Sequence, residues 1–453
     1  MHLHFVGIGG IGMSGLARIA LNLGYRVSGS DLKENKLTDD LREKGATIYT
    51  GHRANQLHNP DAVIFSSAIN KKDNPEIKQA KVKGIPVISR GKLVADITNP
   101  HESIVVAGTH GKTTTTALIC ELLLEDKRNP IILIGGILKR IGSNSRWGNG
   151  GWAVIESDES DGSFLFHHPS IAVVTNIEND HLEYYSSRAN ILQAFYQFLK
   201  KIKSNGIGLV NMDDDGLRYI LKKGGIKRNL ITYGMHPKSD ISAQNIHLGV
   251  LNCSFELRYK RKIMGKLEVP LAGMHNVYNC LAAAGVGIVL GISWENIRKT
   301  FSSFRGVKRR LEKVGQIGSV LVFDDYAHHP TEIKATLKEL KRAGHRIIVV
   351  FQPHRYTRTA LLLSEFSTCF TQADILVITD IYPAGEDPIP GISGKTLFKV
   401  VKEKRVAPTY YISAREKIVE FLKKEIGKND LILTLGAGDI TLLSTEIVKS
   451  GIL

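Results

Sequence analysis

The sequence predicts an α/β protein of three domains. Short apolar runs alternate with helical patterns at both ends of the chain, which means βα units on parallel sheets. Between them, from Asp240 to Leu271, polar and apolar residues alternate around turns, as in antiparallel strands. Several apolar runs end in glycine or polar residues just before a helix, where open parallel sheets bind ligands.

A chain of 453 residues accommodates two to four domains of ordinary size. No apolar run is long enough to span a bilayer, and the N-terminus enters a strand and glycine turn, "HLHFVGIGG", without a signal-peptide layout. Cys120, Cys253, Cys280 and Cys369 are scattered with no CxxC pair, which argues against a disulfide framework or a zinc site. The expectation is a cytoplasmic protein without membrane insertion. The net charge of +16 is spread along the chain, without a nucleic-acid motif. Part of it is solvated surface, and the rest suits small phosphorylated ligands better than a duplex.

The first block, residues 1–98, carries the strands "HLHFVGIG", "YRVSGSD", "DAVIFSSAI" and "IPVIS" with helices between them. Its turn "VGIGGIGMSGLA" matches GxGxxG at Gly7, Gly9 and Gly12, between a strand and a helix, and Asp31 ends the next strand where a dinucleotide fold holds a ribose. The motif reads a diphosphate at the helix start but not what lies beyond it.

The second block, 99–309, restarts with "SIVVAGTHGKTTTT". Only Thr109 and His110 separate Gly108 from Gly111-Lys112, whereas the usual phosphate loop has four residues there. Loop amides can still cradle phosphate, Lys112 can reach its oxygens and Thr113 can ligate Mg²⁺. In "ESDESDGSF", Glu156 abuts the strand as a metal ligand should, while Asp158, Glu159 and Asp161 read mostly as a solvated acidic loop. In "NIENDHLEYY", Asn176, Asp180 and His181 stand where a strand meets a loop; one histidine near carboxylates is a weak metal signal. Asn276 and Asn279 lie one turn apart on a helix, fit either to read a base edge or to cap.

The third block, 310–453, returns to βα units. Arg310, Asp325, His328, His329, His354, Arg355 and Arg358 gather near strand ends. Pro330 fits a first helical turn, so part of "HHP" reads as a cap. Two arginines three residues apart can grip a carboxylate or phosphate.

In their order, "HFVGIGGIGMSGLA", "GTHGKTTTT", "ESDESDGSFL", "DHLEYY", "HNVYNCLAA", "DDYAHHPTEI", "QPHRYTRT" and "IYPAGE" resemble the Mur ligase family of bacterial cell-wall synthesis, along essentially the whole chain. The short G-x-x-G-K-T loop is that family's own variant. The resemblance implies a Rossmann-like N-terminal domain for the UDP part of the substrate (1–98), a central P-loop-type ATPase domain (99–309) and a C-terminal Rossmann-like domain for the amino acid (310–453). It implies ATP and Mg²⁺ as cofactors. The implied reaction joins L-alanine to the carboxylate of UDP-N-acetylmuramate through an acyl phosphate. On this resemblance Gly9, Gly10, Gly12, Met13, Ser14, Asp31 and Arg355 face the substrates. Gly108, Thr109, His110, Gly111, Lys112, Thr113, Thr114, Asn276, Asn279, Arg310 and Asp325 form the nucleotide site. Thr113, Glu156 and His181 hold metal, and Lys112, His181, Arg310, His354 and Arg358 serve catalysis. His181, His329 and His354 remain open as the acceptor of the amine proton.

Later ligases of the pathway carry a carbamylated lysine after "DH". Here "NILQAFYQF" offers Phe195 near that place, the pattern of the alanine-adding branch. Two alternatives remain: a ligase that recycles a ready-made tripeptide onto the same sugar, and an NAD-dependent oxidoreductase. The expected assembly is a monomer or weak homodimer.

Overall fold

The computed structural model describes residues 1–66, 69–178, 182–249, 251–342 and 344–451; the side chains of 182 and 183 are also outside the description. The chain divides into two compact units, residues 1–248 with 252–307, and 249–251 with 308–453.

The first unit holds two sheets. β1 (His2–Val6), β2 (Arg26–Asp31), β3 (Thr47–Thr50), β4 (Ala62–Phe65) and β5 (Val87–Ser89) form a parallel sheet in the order β3-β2-β1-β4-β5. Strands buried on both faces read as continuous apolar runs, as "AVIF" of β4 does. The helices are α1 (Ile11–Asn22), α2 (Lys36–Glu43), α3 (Pro75–Val82) and α4 (Arg90–Thr98). Asn35, Asn74 and Ser89 cap α2, α3 and α4 by accepting backbone amides.

The second sheet contains β6 (Glu102–Ala107), β7 (Ile131–Leu138), β8 (Ser143–Arg146), β9 (Trp152–Glu156), β10 (Ile171–Val174), β11 (Ile207–Asn211), β12 (Asn229–Tyr233), β13 (Ile241–Leu248), β14 (Cys253–Tyr259) and β15 (Lys262–Val269). Its order is β15-β14-β13-β12-β11-β10-β6-β9-β7-β8, parallel from β13 through β7, with the β13–β14, β14–β15 and β7–β8 pairs antiparallel. The alternating stretch 240–271 therefore forms the antiparallel wing expected of it. Helices α5 (Lys112–Glu125), α6 (Leu182–Tyr185), α7 (Arg188–Lys200), α8 (Asp215–Lys223), α9 (Met274–Val289) and α10 (Trp294–Ser302) complete this part.

The two sheets join through α1. A side chain at Gly15 would stand 2.7 Å from Asn144 Nδ2, so glycine lets the helix reach β8. Arg18 on the same face donates to Ser143 (2.5 Å), Asn144 (3.0 Å) and Ser145 (3.1 Å).

Phe195 is fully buried on α7, with its ring 5.0 Å from that of Phe164, which also meets Phe198 at 5.2 Å. It fills core. Phe195→Ala should lower stability by about 3–5 kcal/mol. Calorimetry should show a lower melting temperature that bicarbonate does not restore; rescue by bicarbonate would contradict the packing role.

The second unit has β16 (Glu312–Ile317), β17 (Val320–Asp325), β18 (Ile347–Phe351), β19 (Ile375–Ile378), β20 (Thr409–Tyr411) and β21 (Leu431–Leu435), ordered β16-β17-β21-β18-β19-β20. All pairs but β16–β17 are parallel. Its helices are α11 (Pro330–Lys341), α12 (Tyr356–Leu361), α13 (Leu363–Cys369), α14 (Gly394–Lys404), α15 (Arg415–Glu425) and α16 (Thr441–Ser450). Among the described residues, no helix is long and apolar enough to cross a membrane.

Candidate active site

Central β6 runs into the loop 108–111 and then α5. Gly108 (φ +131°) and Gly111 (φ +81°) both have positive φ, and a side chain on either would strike Thr175 or Asn279. Asn176, just after β10, latches the loop. It accepts the His110 amide on Oδ1 (2.8 Å), donates to the His110 carbonyl (3.0 Å), and its own carbonyl accepts the Thr109 amide (3.0 Å). The amides of Thr109 and His110 thus face inward. The His110 ring lies 3.4 Å from Glu178. The amides at the start of α5 have no side-chain cap, which leaves the positive end of the helix open.

Lys112 Nζ donates to the carbonyls of Gly108 (2.6 Å) and Thr109 (3.1 Å) and to both oxygens of Glu159 (2.9 and 2.8 Å). Burial alone would pull its pKa down, but the carboxylates of Glu159 and Asp158 outweigh that and raise it, so the lysine stays charged. The Thr113 hydroxyl donates to Glu156 Oε1 (2.7 Å), while the Gly135 amide holds Oε2 (2.6 Å). Thr114 follows, half-buried, on the first turn of α5.

The acidic stretch is not a solvated loop. Glu159 is 2% exposed, and the Tyr185 hydroxyl donates to its carbonyl (2.6 Å). Burial works to raise the pKa of Asp158, yet Lys112, the Ser160 amide and Arg90 hold it below the usual value. Asn276 and Asn279 are buried beneath the loop: the Thr115 hydroxyl donates to Asn279 (3.2 Å), Asn279 donates to Asn276 (3.0 Å), and Asn276 to the Ala272 carbonyl (2.6 Å). Through these bonds the two amides buttress the loop. His181 and Asp180 lie outside the described residues.

At the first glycine turn the Gly9 amide donates to Asp31 (2.8 Å), and Asn35 donates to the Gly9 carbonyl (3.1 Å). The Asp31 carboxylate thus shapes the turn. Gly10 is the N-cap of α1, and no side chain caps that helix. Met13 and Ser14 are buried, and the Ser14 hydroxyl donates to the Ile11 carbonyl (3.1 Å). Their side chains therefore face the core.

In the second unit, Asp325 at the end of β17 accepts the amides of Leu311 (2.6 Å) and Ala327 (2.8 Å). The Arg310 guanidinium lies 5.4 Å from the centre of the Tyr326 ring and exerts its charge on Asp325. Burial pushes the Asp325 pKa up to about 6, against the pull of Arg310. The folded chain thus keeps a proton that the unfolded chain releases at its ordinary value of 3.8, so this contribution to stability is lost as pH rises between the two. Melting temperatures across that window should fall more steeply for the wild type than for Asp325→Asn; equal slopes would contradict the shift.

His354 stacks on Tyr382 with ring centres 5.7 Å apart, and Arg358 donates to its Nδ1 (3.0 Å). Burial, His328 and Arg358 push its pKa down to about 3. In this arrangement its Nδ1 lone pair accepts from Arg358 and its second nitrogen carries the proton. His329 caps α11, accepting the Thr331 amide at 3.4 Å. Arg355, at φ +71°, occupies the N-cap position of α12 without a side-chain cap hydrogen bond; its guanidinium pairs with Glu386 at 3.7 Å, and Glu386 accepts the Thr357 amide (3.0 Å).

Three family models fit this chain: Mur ligase family, catalytic domain, over residues 2–102; Mur ligase middle domain over 106–287; and Mur ligase, glutamate ligase domain, over 309–438. The UDP-N-acetylmuramate–L-alanine ligase of Desulfatibacillum aliphaticivorans is 44% identical across 99% of this chain and 98% of its own. That of Aquifex aeolicus (strain VF5) is 44% identical across 98% and 97%. The chain belongs to the Mur ligase family. The crystal structure of the UDP-N-acetylmuramate-alanine ligase from Thermotoga maritima superposes with a TM-score of 0.85 at 29% identity, covering 99% of both chains. The three-domain Mur ligase architecture is therefore that of this chain.

Within this Mur ligase chain the structure brings together Lys112, Thr113 and Glu156 in one unit, and Arg310 with Asp325 and His354 with Arg358 in the other. The sequence presents Glu159 as part of a solvated loop and gives Gly135 no mark at all. Glu159 follows Glu156 by three residues but looks like any loop acid, and Gly135 precedes its partner by 21 positions.

Proposed function

We propose that this chain is an ATP-dependent ligase that joins L-alanine to the carboxylate of UDP-N-acetylmuramate, forming ADP, in peptidoglycan precursor synthesis. The observation that carries the reading is the Thr113–Glu156 pair beside Lys112 at the mouth of an uncapped helix. An oxygen-only pair suits a hard cation, and a charged lysine with open amides suits phosphates, so the residues fit Mg²⁺ and ATP. The likeness over nearly the whole chain to alanine ligases supports the choice of substrates.

ATP bound there supplies the phosphoryl group that activates the sugar carboxylate toward the alanine amine. Lys112 and the α5 amides offset the repulsion between two anions that must meet. Thr113 and Glu156 would hold Mg²⁺, with His181 a further ligand by family resemblance. Arg310 and Asp325 belong to the nucleotide site, and Arg355 and Arg358 offer cationic donors for a carboxylate. The division at residues 98/99 and 309/310, a cytoplasmic location and a monomer or weak dimer belong to the same proposal.

Mass spectrometry of the product from ATP, UDP-N-acetylmuramate and mixed amino acids tests it. L-alanine should be incorporated with stoichiometric, Mg²⁺-dependent ADP release. Preference for the ready-made tripeptide would make the chain a recycling ligase, and NADH binding without UDP-sugar binding would favour an oxidoreductase.

A further inference from the structure

Arg90 opens α4 directly after β5. It is partly buried, and its Nη1 lies 2.7 Å from the place a side chain on Gly12 would take, with Cζ at 3.4 Å. The arginine side chain thus lies over the first turn of α1, against the third glycine of the turn. Arg90 makes no side-chain hydrogen bond or ion pair with any described residue, although a guanidinium carries five donors. Its charge reaches Asp158, beside Lys112, and the buried ring of His167. The cation also faces the positive end of α1, whose first turn has neither an acidic residue nor a side-chain cap. A cation against a helix N-terminus is a repulsive arrangement unless an anion lies between them.

We propose that Arg90 is a binding residue for the diphosphate of the UDP-sugar, gripping it from the side opposite the glycine turn. The proposal rests on the function assigned above. It gives the guanidinium its missing acceptor, at the place where the side chain lies against Gly12. The charge of Arg90 also reaches Asp158, whose own charge acts on Lys112.

Competition by UDP and by uridine in the ligation assay, with the full chain, tests it. The wild type should prefer UDP to uridine by at least about tenfold, the worth of a charge-assisted fork. In Arg90→Gln that margin should shrink to within roughly threefold, with uridine affinity and the ATP KM unchanged. Arg90→Lys, which keeps the charge without the fork, should fall between and guards against a folding defect in Arg90→Gln. A wild-type margin retained in both variants overturns the proposal. A wild type that binds neither UDP nor UDP-N-acetylmuramate overturns the functional reading beneath it.

Discussion

Lys112→Ala should lose ATP turnover by roughly three orders of magnitude, because a fixed charge at the transferring phosphoryl group disappears. It should also melt at a lower temperature. The Glu159 side chain is 3% exposed and that of Lys112 15%, so truncating the lysine strands a buried carboxylate. Breaking such a pair costs about 3 kcal/mol. A second change separates the two effects. In Lys112→Ala with Glu159→Gln the stranded charge is gone, so the melting temperature should recover while turnover stays lost. Recovery of turnover in the double variant would refute the catalytic role, and an unchanged melting temperature in the single variant would refute the ion pair's structural one. Steady-state ADP release and calorimetry on the same preparations read both.

Glu156→Gln should lower kcat by roughly a hundredfold and raise the Mg²⁺ concentration needed for half-maximal rate. The carboxylate serves two donors, the Thr113 hydroxyl and the Gly135 amide. A glutamine has only one acceptor oxygen. Turned to satisfy the Gly135 amide, it presents its NH₂ group toward Thr113, where a cation needs oxygen. Gly135→Ala tests the same geometry without altering a ligand. Gly135 is exposed, its φ is not in the left-handed region, and the atoms nearest an added side chain are those of the Glu156 carboxylate, the closest at 2.7 Å. The melting temperature should therefore hold while the Mg²⁺ requirement shifts by about tenfold in the direction of the glutamine variant. An unchanged Mg²⁺ dependence in Glu156→Gln would remove Glu156 from the metal site.

Much of the fold was legible because it is written in local patterns. Apolar runs such as "IVVA" and "IIVVF" mark strands buried on both faces, and the change to alternation after Asp240 marks the antiparallel wing. The glycine turns were legible for a similar reason: a positive φ at Gly7, Gly108 and Gly111 leaves little choice of residue. Partnerships across the sheet were less so. Asp31 stands where a ribose ligand would, yet its oxygen meets the Gly9 amide, because the end of β2 runs beside the turn after β1. The spacing of Asn276 and Asn279 fits either a base edge or a cap; only the fold shows that α9 passes beneath the phosphate loop and that their amides close on one another. His354 is one of three candidate bases in the sequence, and only the fold shows Arg358, one turn on, donating to its Nδ1.

The sequence by itself determined the βα order, the two glycine turns, the short phosphate loop with Lys112, and the absence of a lysine where Phe195 stands. These are matters of residue type and near spacing, which backbone sterics and hydrophobic period express within a few residues. Only the tertiary structure decided which charges neutralise which. Glu159 clasps Lys112 across 47 positions, Gly135 orients Glu156 across 21, and Arg90 lies over Gly12 across 78. Such distances in sequence carry no period. The partners meet because parallel strands deliver the loops at their carboxyl ends to one edge of the sheet.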